Sequence, residues 1–242
     1  MWGHLGWRDL RTRYASTFLG PWWSVANLLA TVVGSAFAVS LLSGETTLSA
    51  VPRIAITLTL WTFIAASLSE ATTSLDDAKS LLLNSSQDEL STTLRLIWRN
   101  WLILVHNLLV VVVVFALFER ESILFVAFLI PVSVLLALLL VLPVVLVARL
   151  VYWKLAFRAI IPPAIQFLFF LTPVIWKIPE SGPGVLLLQL NPAAWVLYVA
   201  EQLIQNGQIE TGYVARLVLL SALSLVATRV FLDKVVSVKK FL

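Results

Sequence analysis

Residues Ile123–Ala148 read ILFVAFLIPVSVLLALLLVLPVVLVA, 26 residues with no charge and one hydroxyl, Ser133. A bilayer core about 30 Å thick needs roughly 20 helical residues per crossing. Backbone groups in lipid must pair within their own segment, so a run this apolar is a spanning helix. Five further stretches share its character: Ser24–Leu42, Ile54–Ser69 (running on toward Leu75), Asn100–Phe118, Leu155–Trp176 and Tyr213–Phe231. Of the 242 residues, 60% are hydrophobic and only 12% charged, which excludes most soluble functions. The expected fold is an all-α integral membrane protein of six transmembrane helices. An amphipathic interface helix precedes them, and re-entrant outer helices precede the last span. We read one membrane domain: 1–20 the interface helix, 21–176 spans one to five, 177–212 the outer re-entrant segment, and 213–242 span six with a basic tail.

Six spans put both ends on one side. On that side lie Arg8, Arg11, Arg13, Lys79, Arg95, Arg99, Arg149, Lys154, Arg158, Arg229, Lys234, Lys239 and Lys240; opposite them lie Arg53, Arg120, Lys177 and Arg216. The ratio of 13 to 4 predicts N-in/C-in insertion in a cytoplasmic membrane. The excess of base thus points to topology and anionic membrane lipid, not to nucleic acid. Trp2, Trp7, Trp22, Trp23, Trp98, Trp101 and Trp153 fall near the same inner interface, as an aromatic belt would. Ala36-Phe37-Ala38 looks like a signal-peptide cleavage site, but the apolar run before it is too long for that reading. The chain has no cysteine, which excludes disulfides and thiol chemistry.

Three segments are not simple spans. Trp7, Leu10, Tyr14 and Phe18 recur at spacings 3, 4 and 4, with Arg8, Arg11, Thr12 and Ser16 around them, and predict an interface helix that Gly20-Pro21 ends. The connection Leu75–Arg99 carries Asp76, Asp77, Lys79, Asp88 and Glu89. Ser86-Gln87-Asp88-Glu89 within it fits a capping box that restarts a helix. Such a helix would dock a soluble partner; a solvated loop is the competing reading. Beyond the Ser181–Gly184 turn, Val185–Leu190 and Pro192–Leu203 are too short to cross, which points to re-entrant or interfacial segments. In span five, Pro162, Pro163 and Pro173 predict a bend or a start at Pro162.

Chemistry is sparse. No glycine precedes a lysine, so there is no P-loop, and His4 and His106 are too far apart in sequence to suggest a zinc site. No nucleophile triad or carboxylate pair stands out, so catalytic, cofactor and metal residues on this chain are expected to be none. Ionisable residues within spans are few: Glu70 and Arg216 lie near span ends and His106-Asn107 is the deepest polar pair, and they do not form the paired set of an ion-coupled pump. Transport energy would then come from a partner.

RTRYASTFLGPWWS (Arg11–Ser24), FFLTPVIW (Phe169–Trp176) and Leu190-Asn191-Pro192 resemble, in order and spacing, the corresponding segments of ABC-2 type polysaccharide-export permeases. O-antigen exporter permeases are the nearest in kind, with capsule and teichoic-acid permeases close. The resemblance implies a homodimer joined to two copies of a separate ATPase subunit, which would carry ATP and Mg²⁺. The pair would move lipid-linked polysaccharide out of the cytoplasmic leaflet. It implies ATPase coupling through Trp7, Arg8, Arg11, Arg13 and Tyr14 and through Asp76, Asp77, Lys79, Asp88 and Glu89. Spans one and five would line a channel at the dimer interface. Two features depart from the family pattern: Trp153–Arg158 lacks an Arg-Asp pair, and Ser85-Ser86-Gln87 stands where a Phe-Pro pair is common.

A sliding glycan needs many weak contacts rather than one tight site. Aromatic faces for sugar C–H groups are expected from Trp22, Trp23 and Phe37, and from Phe167, Phe169, Phe170 and Trp176; lipid-facing or packing roles compete for each. Phe167 and Phe170 share a helix face that Phe169 does not, so the three cannot line one channel together. Arg8, Arg11 and Arg13 are candidates for a lipid pyrophosphate, against generic attraction to anionic lipid. A drug or small-lipid exporter and a membrane enzyme acting on lipid-linked sugars are the rivals. The enzyme would need a clustered acid and base that the sequence does not offer.

Overall fold

The computed structural model describes residues 2–14, 20, 22–44, 46–79, 82, 88–177, 182–207 and 211–234, and these form helices and connecting turns with no strand among them. The order is α1 (Trp2–Tyr14), α2 (Trp22–Ser43), α3 (Thr47–Asp77) and α4 (Glu89–Phe118). A 3-10 segment (Arg120–Phe128) then runs into α5 (Leu129–Leu139) and α6 (Val141–Trp153). The chain continues with α7 (Phe157–Leu171), α8 (Pro183–Leu190), α9 (Pro192–Asn206) and α10 (Thr211–Lys234).

Among the described residues, five helices are long and apolar enough to cross a membrane: α2, α3, α4, the continuous run Arg120–Trp153, and α10. The fifth expected span differs. Its helix, α7, has 15 residues, so it is about 22 Å long, short of a bilayer core. It begins before Pro162 and runs through both prolines. It stops at Thr172, because Pro173 disfavours helical backbone in the residue before it and brings no N–H of its own. The two short apolar segments are the helices α8 and α9, which meet at 105°. Together they add a sixth candidate crossing if they form one broken span.

α3 is the axis of the bundle. In its most apolar window 78% of residues are buried, against 17% for α2 and 22% for α10. α2, α4, α6, α7 and α9 all pack on it. Ile54, Ile56, Leu60, Leu104, Val111, Phe115, Leu129 and Leu136 fill the core around it.

Where the chain leaves regular helix, side chains satisfy the exposed backbone, as apolar surroundings demand. Pro143 has no N–H to give Leu139, one turn back. Ser224 on α10 donates to that carbonyl at 3.0 Å and accepts from Leu142 N–H at 3.1 Å. Asp88 caps α4, accepting from Ser91 N–H at 2.8 Å. The expected cap, Ser86, lies outside the described residues, as do Ser16, Phe18, Pro21 and the Lys239–Lys240 tail.

Candidate functional site

Two sequence motifs fold onto each other. After α7, Thr172 turns its hydroxyl to the Leu168 carbonyl (2.7 Å) and accepts from Asn191 Nδ2 (2.8 Å). Asn191 in turn caps α9, its Oδ1 taking Ala193 N–H at 3.0 Å and Ala194 N–H at 3.4 Å. The carbonyls of Val174 and Ile175 receive Thr57 Oγ1 (2.5 Å) and Arg53 Nη1 (3.2 Å) from α3. The break is therefore covered by protein, with Arg53 itself 2% exposed. Trp176 Nε1 donates back to Phe170 at 3.1 Å, so Trp176 closes the end of α7.

This clamp holds α7 across α3 from α2, leaving a groove between α2 and α7. The groove has a volume of about 550 Å³ and is floored by α3. Trp61 and Phe169 form its aromatic wall, ring centroids 5.7 Å apart and edge-to-face. Such a contact contributes about 0.5–1.5 kcal/mol beyond burial. Thr31, Ser35 and Thr62 supply hydroxyls, and Gln166 an amide. Asn27, Thr31 and Gln166 are exposed on predominantly apolar helices.

The expected lining aromatics divide. Trp22, Trp23 and Phe37 on α2, and Phe167 and Phe170 on α7, are exposed and do not line the groove, while Phe169 is held against Trp61 and lines it. Trp61 was missed by the sequence reading; it lies on span two, and only the crossing of α7 over α3 brings it to Phe169. The hydroxyl stripe Thr31–Ser35 was legible at helical spacing but was not used.

At the basic end, ion pairs tie α3 to α4 and lace α1, α6 and α7 to them. Arg95 grips Asp9 of α1 through Nε and Nη2 at 2.5 and 2.6 Å. Arg99 holds Glu70 at 2.6 Å and stands 3.9 Å from Asp9. Arg149 on α6 makes a two-point contact with Glu89 at 2.6 and 2.8 Å. Arg158 on α7 pairs with Asp76 at 2.5 Å and donates to the Thr72 carbonyl at 3.1 Å.

These pairs revise the expected coupling residues. Glu89 is buried and bound to Arg149, so it is an internal brace and not a docking surface. Asp76 is engaged by Arg158, and Asp88 is spent on the α4 cap. Asp77, exposed, accepts from the Thr73 hydroxyl at 3.0 Å, and Lys79 is exposed. On α1 the expected apolar face is rotated. Gly6 and Leu10 are buried, while Trp7, Arg8 and Arg11 face outward. The side chains of Arg13 and Tyr14 lie outside the described residues.

The cause of the rotation is Gly6. A Cβ there would come within 3.0 Å of Trp98 Cδ1 and 3.1 Å of the Arg95 carbonyl. The glycine lets the α1 backbone sit directly on α4 and brings Asp9 to Arg95. Gly6→Val is expected to destabilise this docking by about 1–3 kcal/mol, the usual cost of overpacking. Faster protease cleavage within α1 in membranes would report it; unchanged cleavage would contradict the close contact.

The remaining polar residues of the spans are accounted for locally. His106 Nδ1 lies 2.7 Å from the Leu102 carbonyl one turn back. Arg216 lies over the rings of Tyr213 and Trp195, at 5.3 and 5.8 Å. At the end opposite the basic pairs, Arg53, Arg120, Lys177, Glu119, Glu121 and Glu201 line a cavity of about 740 Å³. Burial pushes the Glu119 carboxyl up from its ordinary range. No group of three or more His, Cys, Asp or Glu side chains among the described residues could hold a metal ion.

Comparison with known proteins finds no family model that matches the chain and no curated protein that matches it.

Proposed function

We propose that this chain is the transmembrane permease subunit of an ABC exporter that moves lipid-linked polysaccharide across the cytoplasmic membrane, driven by a separate ATPase subunit. The observation that carries it is the groove between α2 and α7: open to the surface, walled by Trp61 and Phe169, and supplied with hydroxyls and an amide by Thr31, Ser35, Thr62 and Gln166. Aromatic faces meet sugar C–H faces, and hydroxyls and amides exchange hydrogen bonds with sugar hydroxyls. None of these contacts is charged, so each is weak and a polymer can pass.

Exposed Asn27, Thr31 and Gln166 are poorly suited to lipid and well suited to a watery channel or a second copy of the chain. The exposed apolar flank of Val33, Phe37, Phe167 and Phe170 adds a surface that a homodimer would cover. At the basic end, Trp7, Arg8, Arg11, Asp77 and Lys79 project outward from a braced frame and supply the contact for two ATPase copies, which would carry ATP and Mg²⁺. We place that end in the cytoplasm, in a bacterial inner membrane with both termini inside. Arg8 and Arg11 are also the residues we assign to the pyrophosphate of the lipid carrier.

The test is co-expression with ATPase subunits of the same genome. The expected result is a purified complex of two permeases and two ATPases whose ATP hydrolysis rises with a lipid-linked glycan. Stimulation by small amphiphiles but by no glycan would favour a drug or small-lipid exporter. A chain that purifies alone and recruits no ATPase would overturn the proposal.

A further inference from the structure

Beside the groove, α2, α3 and α4 border a second cavity of about 200 Å³ whose largely apolar walls carry several polar side chains, although it lies among spanning helices. Each helix contributes a stripe at helical spacing: Ser24, Asn27 and Thr31 from α2, Thr62 from α3, and Asn100 and Asn107 from α4. Phe63 adds an apolar wall. At the rim stands Glu70, already tied to Arg99 at 2.6 Å. The six stripe groups are neutral, and each can donate or accept.

The groups are not all satisfied by one another. Ser24 donates to Asn107 Oδ1 at 3.0 Å. Asn100 is 2% exposed; its Nδ2 reaches Ser67 Oγ only at 3.5 Å, and its buried Oδ1 has no hydrogen-bond partner among the described residues. A buried amide oxygen left unpaired costs about 1–3 kcal/mol, so a ligand that donates to it is favoured by that amount. The volume is that of roughly six waters, or about one sugar ring. Thr31, Thr62 and Ala66 line both this cavity and the groove, so the two adjoin.

We infer that this cavity is a binding subsite for a single neutral, polyhydroxylated group of sugar-ring size, opening sideways from the groove at Thr31 and Thr62. Asn100 Oδ1 accepts one ligand hydroxyl, the Asn27 amide exchanges hydrogen bonds with others, Thr31 Oγ1, which donates to the Asn27 backbone carbonyl at 2.8 Å, accepts another, and Phe63 meets a C–H face. The absence of unpaired charge selects against phosphorylated or cationic ligands. The inference rests on the proposed function in naming a sugar, but its test does not need transport.

Because the chain has no cysteine, single cysteines report without background. Asn27→Cys and Thr62→Cys probe the cavity, and Gln166→Cys probes the groove, each in native membranes with a small hydrophilic thiol reagent. Methyl glycosides of glucose, galactose, mannose and N-acetylglucosamine are the probes, with choline as control. Both cavity cysteines are expected to be labelled. At least one glycoside should slow them about threefold or more, the slowing when two-thirds of sites are filled; choline should not. Asn100→Leu should abolish the protection at Asn27→Cys, an exposed position, while labelling persists. Cavity cysteines that resist the reagent, or that label equally fast with every glycoside, would overturn the subsite. Protection at Gln166→Cys alone would do the same while leaving the exporter proposal standing. Failure to recruit any ATPase strikes that proposal instead.

Discussion

Arg149→Ala is expected to destabilise the protein by about 3–5 kcal/mol, the cost of stranding one member of a buried ion pair. The Arg149 and Glu89 side chains are only 12% and 8% exposed, and the contact is made at two points. Arg149 also stacks over the Phe231 ring at 5.8 Å, so the substitution loosens α10 as well. Most of the cost is the burial of an unpaired Glu89 carboxylate. Replacing both partners with Met and Leu should therefore recover most of the loss. Thermal unfolding in detergent reads both variants. A single variant as stable as the native chain, or a double variant no better than the single, would contradict the brace.

Glu89 also shows where sequence stops being informative. Asp76, Asp77, Lys79, Asp88 and Glu89 read alike as loop charges, and nothing local separates a surface carboxylate from a buried one. The partner that decides the matter, Arg149, lies 60 positions away. Five of the six expected spans were legible as long helices, because lipid allows one solution for an apolar run of that length, while the fifth was shortened by Pro173 to 15 residues. The three irregular segments were legible because turns, prolines and length forbid an ordinary crossing there. The Thr172–Asn191 bond was invisible, although both residues stood in motifs singled out by resemblance. The side of α1 that packs on α4 was not legible, because hydrophobicity favours Trp7, whereas close helix approach favours Gly6, a preference that only packing reveals. Trp61 was overlooked for the related reason that a groove belongs to three helices at once.

The second large effect is expected at the groove. Ser35 lines it from α2 and is half-buried against open space. Ser35→Trp would set an indole opposite Phe169 and Gln166, in a cavity of about 550 Å³. The added ring has room without repacking the core, so the fold and ATPase recruitment should persist. Glycan movement should fall at least about tenfold, equivalent to 1.4 kcal/mol or more on the barrier. Leu41→Trp is the control: Leu41 lies on the same helix, is 71% exposed and does not line the groove. Transport unchanged in Ser35→Trp, or lost equally in both variants, would remove the groove from the path.

The most direct measurement is ATP-dependent translocation of lipid-linked glycan in vesicles reconstituted with this chain and its partner ATPase. The account predicts that glycan crosses only when both subunits and ATP are present, and that Ser35→Trp blocks it. Glycan crossing with this chain alone, or no crossing with any recruited ATPase, would contradict it.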